Sequence, residues 1–323
     1  MPFISSIRKN YDTPTNNNNF EVTGGDSVYT AGGYRIHTFT TAGAAELVVK
    51  NINTPSNIMQ LAAGINVEYL VIAGGGAGRG GLGGGGGAGG LKTGITSTNA
   101  GSVPVFVGAG VTGSPGGSSR PLSTINQATS TNNSNFGTVT CDGGGAAGSH
   151  REPSSDTRGY PGGSGGGGGT NGFGAAGNGV IGQGFPGGHG SPGPSHYGGG
   201  GGGGAGEKGG DVHSNTFGGA KGGNGVASAI DGVAHLYAGG GGGGSHSRPT
   251  PSGSGGLGGG GGGAADLGNP GNGAIGRNPG GTAARANGGP GGTNTGAGGG
   301  GGDWNQTQGG TGGPGIVLIR YRI

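Results

Sequence analysis

The sequence predicts a mostly β and irregular fold without α-helix, in which a small antiparallel β-sheet caps a bundle of about ten antiparallel polyglycine II helices. Three observations lead there. Gly supplies 101 of the 323 residues. All but six of those lie between Gly74 and Gly315. The stretches that border this region alternate apolar and polar residues at the period of a strand.

The chain divides in order. Residues 1–19 form an arm or attachment segment, set off by the turn-rich run Thr13 to Asn19. Residues 20–73 are a β-sheet domain, with Tyr34 to Thr40, Glu46 to Lys50 and Val67 to Ala73 rich in β-branched and aromatic residues between Gly pairs. Residues 74–315 are the glycine-rich bundle, interrupted by a strand at 103–107, and residues 316–323 are a closing strand.

Within the bundle the glycines stand in blocks: Gly74–Gly76, Gly83–Gly87, Gly143–Gly145, Gly165–Gly169, Gly198–Gly204, Gly239–Gly244, Gly258–Gly263 and Gly298–Gly302, with looser stretches at 218–225 and 309–315. Gly is a poor residue for α-helix and strand, because fixing it costs about 0.5–1 kcal/mol more than Ala. The extended helix of three residues per turn points its backbone groups outward, and without side chains neighbouring helices approach until N–H and C=O groups pair between them. Collagen is excluded, since the glycines come in blocks and Pro numbers only 17. A disordered low-complexity chain fits the composition, but a net charge of +3 is too small to hold the chain expanded.

Several chemistries are excluded by pattern. Gly76-x-Gly78-x-x-Gly81 after a strand mimics a dinucleotide fingerprint, yet more Gly follows where a helix is needed, and no acidic residue occurs between Glu68 and Asp142. No P-loop is present. None of the seven His pair as HxH or HExxH, and Cys141 stands alone. The 16 Lys and Arg are scattered, so no nucleic-acid partner is expected. No membrane insertion, cofactor, metal or enzymatic activity is expected either, and the 13 acidic residues lie isolated in loops.

What chemistry remains sits in the linkers: Tyr160, Phe185, Tyr197, Phe217, Tyr237 and Trp304, interleaved with Arg and His. Exposed aromatics and Arg are the usual anchors of contact surfaces, although rings folded back to plug the bundle's ends are an equal reading for any single residue. With the blocks, the strand leading into them and the closing Gly315 to Tyr321 in view, the chain resembles the glycine-rich tail-fibre tip adhesins of tailed bacteriophages. That resemblance implies a polyglycine sandwich at the tip of a fibre in the virion, outside the cell. Its loops would touch a bacterial surface receptor, an outer-membrane protein or glycan, and its other end a neighbouring tail-fibre protein. A glycine-rich structural or ice-binding protein is the alternative, which predicts a flat, regular face of small residues.

If each block crosses the bundle once, linkers 149–161, 207–217, 245–254 and 303–308 lie far from the sheet, and 91–142, 170–197, 226–238 and 264–287 near it. His150, Arg151, Arg158, Tyr160, His213, Phe217, His246, Arg248 and Trp304 then form the expected receptor-binding surface.

Overall fold

The computed structural model describes residues 20–52, 64–114, 130–150, 157–170, 174–192, 197–212, 218–246, 251–266, 268–304 and 308–323. The expected arm at 1–19 lies outside them, as do Arg151, His213, Phe217 and Arg248. Strands β1 (Phe20–Thr23), β2 (Ser27–Ala31), β3 (Tyr34–Phe39) and β4 (Gly43–Asn51) precede the glycine region, followed by β5 (Ile65–Ile72), β6 (Leu91–Thr98) and β7 (Gly101–Val107). Then come β8 (Ser134–Phe136), β9 (Val139–Cys141), β10 (Val226–Ser228), β11 (His235–Tyr237) and β12 (Ile316–Arg322). No α-helix occurs among the described residues.

Instead of one small sheet there are two of five strands, ordered β1-β4-β7-β8-β9 and β2-β3-β12-β5-β6, and β10 pairs with β11 apart from both. The neighbouring strands are antiparallel. The two large sheets pack face to face. Val317, Ile319 and Tyr321 of β12 enter the core between them with Phe39, Leu47, Val49, Val67, Val105 and Phe136. The alternate residues Ile316 and Leu318 turn to the other face, against Ala88, Ile230, Tyr237 and Ala238. Side chains two apart share a face of a strand, so the continuous apolar run at the C-terminus is a strand buried on both sides.

Strand β5 runs directly into a glycine segment, and β6 and β12 each emerge from one. Residues 73–79 leave β5, turn at Gly81 (φ 65°) and Leu82 (φ 53°), and return as 83–90 into β6. The end at the sheets is called near, and the end at Leu82 far. Leu82 is fully buried, which offsets the roughly 1–2 kcal/mol that a left-handed backbone costs a residue with a Cβ.

Run 83–90 shows how glycine folds here. Gly84 donates to Gly148 O (2.9 Å), Gly85 to Gly200 O (3.0 Å) and Gly86 to Gly299 O (2.8 Å). The cycle then repeats, with Gly87 on Gly145 O (2.9 Å) and Ala88 on Gly203 O (2.9 Å). Each run thus serves three neighbours in rotation and returns to the first after three residues. Residues 239–244 follow the same rule, pairing in turn with 258, 223, 86, 261, 220 and 83. Three residues per turn with every donor turned outward is the polyglycine II arrangement.

Runs at the margin of the bundle need less Gly. In 269–276 the exposed residues are Asn269, Asn272 and Ile275, one per turn. Only positions facing a neighbour must lack a Cβ. Segments poor in consecutive Gly therefore also cross the bundle, among them 157–163, 251–257, 269–276 and 279–284, and the runs outnumber the ten expected from the blocks.

A buried salt bridge ties the bundle to the sandwich. Arg277 Nη1 donates to Asp231 Oδ2 and, at 3.0 Å, to Tyr237 OH. From β2, Tyr29 OH donates to the Asp231 carbonyl at 3.2 Å. Burial pushes the Tyr237 phenol up to about 12, so it stays protonated as a donor.

His37 on β3 predicts an acid sensitivity. It is fully buried, and its Nδ1 donates to Gly24 O at 2.7 Å while Nε2 has no partner. Burial lowers its pKa below 6.5, the nearby Arg35 charge adds to this, and the Gly24 bond opposes it. A lowered folded-state value means that the unfolded chain takes the proton first. The stabilisation is complete above the unfolded value and is lost as pH falls below it. The melting temperature is expected to fall from pH 7.5 to 5, and His37→Asn, which keeps a donor toward Gly24, to flatten that slope. A wild-type profile flat across this range contradicts the assignment.

Candidate functional site

Four rings converge at the far end of the bundle, each from beside a different glycine run. His150 follows 143–149, Tyr197 precedes 198–204, His246 follows 239–244 and Trp304 follows 298–303. Their level is fixed by the backbone. His150 N donates to Gly81 O at 2.9 Å, Leu82 N to Asp303 O at 2.9 Å, and Gly244 N to Gly83 O at 3.0 Å, all at the turn that ends the first hairpin. His246 N reaches Tyr197 O at 3.2 Å.

The rings touch one another. The indole of Trp304 lies 5.1 Å from His150, 5.6 Å from Tyr197 and 5.1 Å from His246, stacked on the last at 28°. Tyr197 stands edge-on to both imidazoles at 5.7 Å. These separations are those of favourable edge-to-face and offset pairs. Each residue is half-buried, so the cluster both closes the bundle's end and presents part of its surface to solvent.

A polar layer supports it. Asp266 Oδ2 lies 3.2 Å from His246 Nδ1, with the carboxylate side chain 22% exposed. Beneath, fully buried Ser149 donates to Gly80 O at 3.0 Å, and Ser252 Oγ, 2.6 Å from Ser245 Oγ, donates to Ala264 O at 2.6 Å. These hydroxyls cap carbonyls where the glycine runs stop and their neighbours no longer supply donors.

Of the nine expected surface residues, His150, His246 and Trp304 are brought together. Arg158 is exposed near the same end, its backbone beside Gly148. Tyr160 is not at the tip, because its N–H donates to Ala146 O (2.8 Å) within the crossing run 157–163, about four residues or 12 Å up the bundle. Tyr197 and Asp266 were placed by block counting in the near linkers 170–197 and 264–287. That placement fails: both linkers begin and end at the far end, with Thr170 Oγ1 on Leu82 O and Ser245 bridged to Ala265. The cause is the extra crossings at 157–163 and 251–257, which reverse the direction of the following block. Linker 91–142 likewise contains a crossing, 108–114, which ends beside Arg79. The signal that could have found Tyr197 is local: each ring of the cluster directly flanks a run of Gly.

A glycine-rich domain profile matches residues 51–322, from the end of β4 through β12. The chain belongs to the glycine-rich domain family. No curated protein matches the sequence. Within this glycine-rich domain the match spans the whole bundle together with β5 and β12, the strands that enter and leave it.

Proposed function

We propose that this glycine-rich domain is the receptor-binding tip of a bacteriophage tail fibre, an adhesin of the virion that meets a bacterial cell surface through the far-end loops. The observation that carries the reading is the convergence of His150, Tyr197, His246 and Trp304 at the end opposite the sandwich. A rigid hydrogen-bonded body holding variable loops at one end is the arrangement that recognition uses, since loops tolerate exchange while the scaffold fixes their positions. The sandwich end is then free to join a neighbouring tail-fibre protein. The role is one of binding, with no catalysis, cofactor, nucleic acid or membrane insertion. The ice-binding alternative needs a regular face of small residues, whereas the outward row Asn269, Asn272 and Ile275 is mixed and large.

The test is binding of labelled protein to a panel of bacterial strains. Replacing 150–156 and 246–250, and with them His150 and His246, by Gly-Ser chains of equal length is expected to abolish binding with the melting temperature nearly unchanged. Replacing 229–233, at the near end, is expected to leave binding intact. Binding to no strain, or a loss caused by the near-end replacement alone, contradicts the proposal.

A further inference from the structure

We propose that the four-ring cluster is a saccharide site, taking the apolar face of a pyranose in a cell-surface glycan, with Asp266 accepting from its hydroxyls. This rests on the adhesin reading and names the ligand class for the same end of the molecule.

The chemistry of the far end separates a sugar from a protein surface. A protein partner is held by a buried apolar centre within a polar rim. The large hydrophobic side chains exposed among the described residues lie elsewhere: Ile181, Val233, Leu257 and Ile275 at near-end turns, Ile95 and Val28 on the sandwich. Among the described residues at the far end, the apolar surface offered is that of the rings, half-buried and restricted to one small cluster. That is an area suited to a sugar ring or two.

The geometry suits the same ligand. An aromatic face carries negative charge density and its edge positive. The axial C–H groups on one side of a pyranose are weakly positive, so they settle on such a face, while the hydroxyls around the ring's edge seek acceptors. Trp304 and His246 are stacked at 28°, giving a layered platform, and Tyr197 stands edge-on beside them. Asp266, its side chain 22% exposed, sets a carboxylate 3.2 Å from His246 Nδ1, beside the platform. A carboxylate accepts several hydrogen bonds, and those it accepts are stronger than neutral ones. The platform is assembled before ligand arrives, its rings held by four glycine runs that are themselves pinned by backbone hydrogen bonds, so little ordering remains to oppose binding.

Trp304 is the chain's one tryptophan, so its fluorescence reports this cluster alone. The full chain is titrated with methyl glycosides of glucose, galactose, mannose, N-acetylglucosamine and heptose, and with polysaccharide released from a strain it binds. A saturable emission change with at least one probe is expected. Asp266→Asn is expected to weaken binding about tenfold, the loss of one charge-assisted bond. Trp304→Ala, followed by saturation-transfer NMR, is expected to abolish it, and Trp304→Phe to retain part. If Trp304→Ala does not fold, Asp266→Asn and Trp304→Phe carry the test. No response to any saccharide overturns the proposal. Cell binding that survives periodate oxidation of the surface but not protease treatment also overturns it, and leaves the adhesin reading standing. Saccharide binding without attachment to any cell supports the site and overturns the adhesin reading.

Discussion

Gly241→Ala is expected to leave no cooperatively folded protein, or to lower the melting temperature further than any substitution on the exposed loops. The added Cβ would lie 2.1 Å from the carbonyl oxygen of Gly299, a backbone atom that cannot rotate away. Relief requires the 297–303 run to move off, and that run donates from Gly298 to Gly239, from Gly299 to Gly76 and from Gly301 to Gly242. Each buried amide left without a partner costs about 1–3 kcal/mol. Three such losses reach the range of total domain stability, about 5–15 kcal/mol. Valine at Gly241, or at Gly260, whose Cβ would meet Gly240 O at 2.1 Å, is expected to be worse and to cause aggregation. Gly182→Ala is the control. Nothing lies within 4 Å of a Cβ there, and the only cost is its φ of +79°, about 1–2 kcal/mol. Thermal melts of these variants decide the matter, and equal shifts for Gly241→Ala and Gly182→Ala contradict close packing.

The second large effect is expected at the joint between bundle and sandwich. Arg277→Met leaves the Asp231 carboxylate, only 4% exposed, without its cation. What remains around it is neutral donors, Tyr237 OH at 3.4 Å and Val233 N at 3.3 Å, and His235 Nε2 at 3.7 Å, a cation only when protonated. Breaking a buried pair from one side costs about 3–5 kcal/mol, because the remaining charge stays buried and unpaired. The double variant Asp231→Leu with Arg277→Met removes both charges and is expected to recover a substantial part of the loss. Denaturant titration of the single and double variants measures the difference. A single variant as stable as the parent would show that the pair is peripheral.

Much of this fold is legible from residue pattern. Tyr34 to Phe39, Val67 to Ile72 and the closing Ile316 to Arg322 carry β-branched and aromatic side chains because the sandwich core receives them. Other strands are harder to read. Strand β6 lies at the edge of the same sheet, with Thr93, Ile95 and Ser97 exposed, and in the other sheet β8 and β9 have three residues each, too short for a period to show. The glycine blocks reveal central runs, where all three faces meet neighbours. They conceal marginal runs, where a face in solvent accepts Asn, Ile or Pro. That difference is why block counting brought His150, His246 and Trp304 to one end yet placed Tyr197 and Asp266 at the other. The ring cluster itself is tertiary: its members come from residues 150 to 304, and no spacing in the chain announces that four runs end at a common point.

The claim on which all else depends is that the glycine runs are the folded body of the molecule. Amide hydrogen exchange, resolved by peptide, tests it most directly. Residues 83–90, 239–244 and 298–302, enclosed by other runs and hydrogen-bonded on three sides, are expected to exchange only through global unfolding and so to be as protected as β5 and β12. If these glycines exchange at the rate of an unstructured chain while the sandwich stays protected, the runs are not a hydrogen-bonded body, and the account of the far-end site built on them is wrong.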